Sequence, residues 1–296
     1  SSSSSSSSLC LVVLLLLVVT INHVNSFVVV TGGTNSKRQA STRLHVEPTI
    51  VAQDDSAEAK GTIMLDLCKS DLVRSCSGSQ KPGLEQVKSL VRSVEEMGEQ
   101  IGIGQASSLS GLMEGEWELL YSPEDETRAS PFFWAFKRAV DKSDQIFAIT
   151  DAIPAPIKEV GPTYQEIVVD AQGKGTLVSK VKVATLNGMA TSWMTTRTTL
   201  LGNEGLDGLR IRVDSTKPED STVLKTLLGP LGNAINQNAP PFPSGDALEQ
   251  LRPGSSQVIM RTTYCDEGLR ISRNEDSYDD VYVWRRKGFG GASVEL

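Results

Sequence analysis

The apolar positions along this chain change their period twice. Leu9 to Val19 is an unbroken apolar run, and between Met64 and Ile101 apolar residues recur at three- and four-residue steps. Beyond Ser110 they alternate with polar residues. The middle region predicts two amphipathic helices. Met64, Leu65, Cys68, Leu72 and Cys76 form the stripe of the first. Leu84, Val87, Val91, Val94, Met97 and Ile101 form that of the second, with Glu95, Glu96 and Glu99 facing away. Ser77 to Gly83, with Gly78 and Pro82, separates them, and Gly102 and Gly104 end the second. Both stripes read as faces that pack on the rest of the fold. Attachment to a membrane surface is the other reading, and the polar faces lack the Lys/Arg enrichment such helices favour.

The alternating region predicts short strands. They fall at 116–121, Tyr164 to Val169, Leu177 to Val183 (Lys180 and Lys182 on the outer side) and Met189 to Leu200. The pattern continues through Leu209, Ile211 and Val213, then Val258 to Tyr264, Leu269 to Ile271 and Asp280 to Arg285. Asn187-Gly188 is a tight-hairpin signal. Many short alternating runs with such turns predict a sandwich or a barrel. Thr222 to Pro253, with its GPLG and NAPPFP stretches, breaks the pattern and reads as an excursion over one end.

The amino-terminal region has another character. The apolar run is far short of the ~20 residues a spanning helix needs. It matches the core of a signal peptide over residues 1–26. Residues 27–46 carry Lys37, Arg38, Arg43 and many hydroxyls but no acid, the composition of a transit peptide. The two in tandem resemble the two-part leader of algae with secondary plastids, in which an aromatic residue such as Phe27 follows the first cleavage. The expected organisation is therefore signal peptide (1–26), plastid transit peptide (27–46), linker (47–57), helical segment (58–104), β domain (110–288) and flexible tail (289–296).

Charge and composition narrow the chemistry. Removing residues 1–46 takes away three cations and no anion, so the net charge falls from −7 to −10. An acidic surface repels phosphate backbones, which argues against nucleic acid; Arg285, Arg286 and Lys287 are only a short basic cluster. No C-x-x-C pair occurs among Cys10, Cys68, Cys76 and Cys265. Cys68 and Cys76 lie ~12 Å apart along one helix, too far to be bridged. Both histidines, His23 and His45, are in the leader. Without imidazole, Ser-His and Cys-His catalysis and histidine-ligated metals drop out, leaving no catalytic, cofactor or metal site to name.

Three motifs then carry a resemblance. Gly115-Glu116-Trp117-Glu118-Leu119-Leu120-Tyr121-Ser122 resembles the opening strand of the plastid lipid-associated protein (PAP)/fibrillin family, GxWxLLYS. Thr263 to Arg273 resembles its closing TYxDExLRISR, departing from it at Cys265 and Gly268, and Ser130 to Trp134 resembles a family segment between them. The resemblance spans roughly residues 60–287. It implies a mainly β fold with two N-terminal helices and a lipocalin-like antiparallel β-barrel. It also implies a non-enzymatic protein that binds or coats apolar lipids (carotenoid, quinone or acyl lipid) at plastoglobules or thylakoids. A plastid protein-interaction scaffold for quinone synthesis or photosystem assembly is the alternative. The expected partners are an apolar small molecule or lipid surface and a plastid protein, with no cofactor. Within such a barrel Gly115 allows a tight start. Trp117 plugs the base, with Arg270 or Arg273 stacked on it. Phe132, Phe133, Trp134, Phe136 and Phe147 form either core or an apolar rim at the mouth. Only one of Trp193 and Met194 can point inward, and Trp193 is the candidate. Trp284 beside Arg285 and Arg286 reads as a strand-end anchor.

Overall fold

The computed structural model describes residues 55–78, 80–151, 158–185, 188, 190–222, 229–230, 238 and 240–288. The expected signal peptide, transit peptide and tail lie outside the described residues. So do most of the linker, Asn187, and much of the Thr222–Pro253 excursion. Contacts divide the chain after Ala59, and the description below concerns the unit from Lys60 onward.

Helix α1 (Asp55–Cys76) begins within the segment expected to be linker, and α2 (Leu84–Ile101) follows the predicted break. Strand β1 (Gly115–Tyr121) leads into a 3₁₀ turn (Glu126–Ala129) and helices α3 (Pro131–Ala139) and α4 (Ser143–Asp151). Four long strands come next: β2 (Lys158–Val169), β3 (Lys174–Thr185), β4 (Ala190–Glu204) and β5 (Gly208–Glu219). Helix α5 (Ser244–Leu251) precedes β6 (Gln257–Cys265), β7 (Leu269–Asn274) and β8 (Ser277–Arg286). Every strand pairs antiparallel with its sequence neighbours, and β8 pairs back onto β1, so the eight-stranded sheet closes in a ring. Strands β3 and β4 pair antiparallel up to Thr185 opposite Ala190.

The alternation gives the ring two faces. Inward positions on β2, β3 and β4 (Ile167, Leu177, Val181, Leu200) are buried, while Glu166 and Arg197 are exposed. On β7 and β8 both faces are buried, because α1 and α2 cover the outer one. Leu65, Leu72, Val87, Val91 and Val94 pack there against Tyr264, Leu269, Ile271, Val281 and Val283. Each such aliphatic burial contributes about 1.5–3 kcal/mol. Gly98 lets Tyr264 approach α2, since a Cβ there would lie 2.9 Å from the tyrosine ring.

Two expectations about the helices change. Met64 is half exposed, so the α1 stripe narrows to Leu65, Leu72 and the flanking cysteines. Glu95 does not face away: its carboxylate accepts from Arg273 Nη2 at 2.9 Å and from the Thr263 hydroxyl, tying α2 to the sheet. Asp266 ties α1 in the same way. It accepts from Lys69 Nζ at 2.6 Å, Tyr264 Oη at 2.8 Å and the amides of Gly268 and Leu269 at 2.8 and 2.7 Å. Cys68, Cys76 and Cys265 are free thiols.

Candidate functional site

One end of the ring interior is built on the opening motif. Gly115 has φ +132°, and a Cβ there would run into the Arg286 guanidinium, so the position requires glycine. Two residues on, Trp117 points inward and is fully buried, its Nε1 donating to the Met113 carbonyl at 3.0 Å. Two guanidinium groups lie over its ring, Arg286 at 4.2 Å and Arg270 at 5.2 Å. Arg286 also donates to the carbonyls of Leu112, Glu114 and Glu267, which closes this end with hydrogen bonds. Arg270 continues inward and lies 4.7 Å over Trp284, whose Nε1 donates to Ser272 Oγ at 2.9 Å.

Arg270 is fully buried. Its Nη2 donates to Gln165 Oε1 at 2.5 Å and its Nη1 contacts Met260 Sδ at 3.9 Å. Its Nε has no acceptor, and no carboxylate pairs with it, among the described residues. Burial depresses the guanidinium pKa to about 9, which still leaves a cation at neutral pH. Cys265 stands opposite it in the β6–β7 register, and burial pushes that thiol up to about 12. The buried hydroxyls of Ser179, Thr196 and Thr262 likewise lack a partner. Gln165, Ser179 and Thr196 form one row across β2, β3 and β4. Thr262 stands opposite Ser272 on β7.

The other end is covered by aromatic residues. Pro131 occupies the first turn of α3, where a missing amide hydrogen is harmless. Phe133, Trp134 and Phe136 of that helix are buried. Phe147 of α4 meets Phe133 and Phe136 at 5.9 and 5.7 Å between ring centres, and Phe132 meets the same two at 5.2 and 6.2 Å. Trp134 reaches the inward Tyr282 of β8 at 5.6 Å, and its Nε1 donates to the Arg128 carbonyl at 2.6 Å. Arg128, on the 3₁₀ turn, lies 3.8 Å over Phe147 and 5.1 Å over Phe133, and pairs with Asp151 at 2.7 Å and Glu124 at 3.6 Å. Gln165 joins the two ends: its Nε2 donates to Ala129 O at 3.0 Å while its Oε1 accepts from Arg270.

The family model PAP_fibrillin matches residues 65–283, from the first buried leucine of α1 to β8. The chain belongs to the PAP_fibrillin family. No curated protein and no solved structure matches it. Membership makes it, in general terms, a plastid lipid-associated protein of a structural family. The match includes α2 and the part of α1 from Leu65 onward, so these outer helices belong to the fibrillin unit.

The predicted residues of this fibrillin fall at different places in the ring. Gly115, Trp117 and Arg270 converge at one end of the ring, and the five aromatics gather at the other. Others fall elsewhere. Arg273 is on the outer face, paired with Glu95 and 5.1 Å over Tyr278, and Arg286 joins Arg270 on Trp117 instead. In the β3–β4 register Met194 stands opposite the inward Val181, so Trp193 faces outward, 5.9 Å from Tyr164. Trp284, two residues before the end of β8, is fully buried and faces the interior. Arg128 and Gln165 escaped the sequence reading. Gln165 carried a signal, since it is a polar side chain on the face shared with Ile167; Arg128, between acids and Ala129, carried none.

Among the described residues no group of three or more His, Cys, Asp or Glu is placed to hold a metal. The interior offers aliphatic wall, aromatic rings, hydroxyls and the fully buried Arg270 cation.

Proposed function

We propose that this fibrillin holds one apolar molecule of the carotenoid, quinone or acyl-lipid class inside its closed sheet, which acts as a lipocalin-like barrel. The molecule lies between the Trp117–Arg270–Trp284 layer and the aromatic cap of α3 and α4. The protein works without catalysing a reaction, at plastoglobules or thylakoids, after import through its two-part leader. The observation that carries the reading is the interior itself. An eight-stranded ring encloses a space that either side chains fill or one small ligand shares. Here the aliphatic wall ends in ring systems suited to a flat, conjugated or isoprenoid chain. Phe133, Trp134, Phe136 and Phe147 form the gate through which such a chain passes, and Phe132 is its outermost ring.

The test is binding by the recombinant protein. Tryptophan emission is titrated with a polyene and with a prenylated quinone, and the protein is extracted with organic solvent after expression in a pigment-containing host. Saturable quenching at about one molecule per chain, reduced by Phe133→Ser, is the expected result. No quenching, an extract free of apolar molecules and no affinity for lipid vesicles would together overturn the reading. A leader of residues 1–46 fused to a fluorescent protein should reach the plastid of a secondary-plastid alga.

A further inference from the structure

The interior cation has two aromatic faces and one amide acceptor, but no counter-charge among the described residues. Trp117, Trp284 and Gln165 hold the Arg270 side chain, and a neutral side chain of that size would fill the same space. A buried charge without a counter-charge is unfavourable in a low-dielectric interior unless something of opposite sign joins it. On the same inner face, in register with Gln165 and Ser272, the hydroxyls of Ser179, Thr196 and Thr262 are buried without partners among the described residues, as is Arg270 Nε itself. Hydroxyls both donate and accept, so these groups are equipped to complete the solvation of an anion seated on a guanidinium.

From this we infer that Arg270 is the headgroup receptor of the interior, and that the bound molecule is an amphiphile with a single carboxylate on an apolar chain. The inference rests on the proposed binding reading and names its ligand class. One cation matches one negative charge. The nearest second guanidinium, Arg286, is engaged with three backbone carbonyls, so a dianion would remain half-compensated. The carboxylate takes the Nε side of Arg270, the side that Gln165 leaves open, and accepts from Thr262 Oγ1. The chain then runs along Leu177, Val181 and Leu200 toward the aromatic cap. Gln165, which also bonds the Ala129 carbonyl under that cap, is a positioning residue for the guanidinium.

The test uses the recombinant protein and a fluorescent C18 conjugated polyene in two forms, the free acid and its methyl ester, at pH 7.5. The acid should bind at least tenfold more tightly, the ratio that one charge-assisted bond supplies. In Arg270→Met that preference should vanish, and Thr262→Val should reduce it about threefold. Hexadecyl phosphate, as competitor, should be no stronger than palmitate. Equal affinity for acid and ester in the wild type would overturn the headgroup assignment while leaving apolar binding intact. Binding of neither form would remove both. An alkyl phosphate tenfold stronger than the carboxylate would overturn the monoanion assignment. The wild-type comparison needs no variant, so a poorly folding Arg270→Met leaves it decisive.

Discussion

Arg128 and Arg270 occupy similar settings at opposite ends of one ring, and their differences divide the molecule by purpose. Each is almost entirely buried, and each guanidinium lies over two aromatic rings. Arg128 has Asp151 and Glu124 beside it, while Arg270 has an amide oxygen, a thioether and no carboxylate among the described residues. With counter-charges, the arrangement is a clasp that holds the aromatic helices over the ring. Without them, the same arrangement is a charge kept in place for something else. Removing one member of a buried ion pair leaves the other uncompensated, whereas replacing an uncompensated charge with an apolar group of equal size is often neutral.

The sharpest way to break the contrast is to remove what Arg270 and Arg286 share. Trp117→Ala should destabilise the protein by about 3–5 kcal/mol, because a fully buried ring is deleted; urea unfolding followed by circular dichroism measures it. Arg128→Met should come next, at about 1–3 kcal/mol, reduced from the cost of a fully buried pair because both carboxylates are partly exposed.

Acid should separate the ends further. Asp125 caps the 3₁₀ turn that carries Arg128. Burial opposes its ionisation, but bonds from Lys158 and Thr127 outweigh that and hold its pKa below the usual carboxylate range. A depressed folded pKa means this stabilisation is complete above the unfolded pKa of ~3.9 and is lost as pH falls through the lower folded value. Asp125→Asn should therefore cost about 1 kcal/mol at pH 7 and progressively less below pH 4, as read from unfolding curves at each pH. The smallest effect is expected at the other cation. Arg270→Met should change stability by less than about 1 kcal/mol, lost cation–π contact offsetting relieved burial. If it proved as costly as Arg128→Met, the two arginines would have the same job.

Most of the ring was legible in the chain because β-strands write their faces into a two-residue period. Each of the eight strands overlaps one of the alternating runs and extends beyond it, β2 and β5 by several residues, and the helical stripes of α1 and α2 were bounded by glycine and proline. Legibility failed where tertiary contacts decide. Glu95 belongs by composition to a solvated face, yet Arg273 and Thr263 draw it onto the sheet. Whether Trp193 or Met194 points inward depends on pairing register, which local alternation in a Thr-rich strand leaves open. Trp284 looked terminal because it adjoins two arginines, but Arg286 itself turns inward over Trp117. At the candidate site, Trp117 and Arg270 were visible in motifs, and the aromatic cluster in its density. The missing counter-charge was not, because it is a property of what converges from five strands.

The carboxylate of Asp266 has a mechanical consequence. It fastens Lys69 of the outer helix and, through two amides, the corner at which β7 begins, one residue before Arg270. One carboxylate therefore joins the outer helix to the residue that precedes the buried guanidinium, so the cover and the interior of the wall share a single fastening.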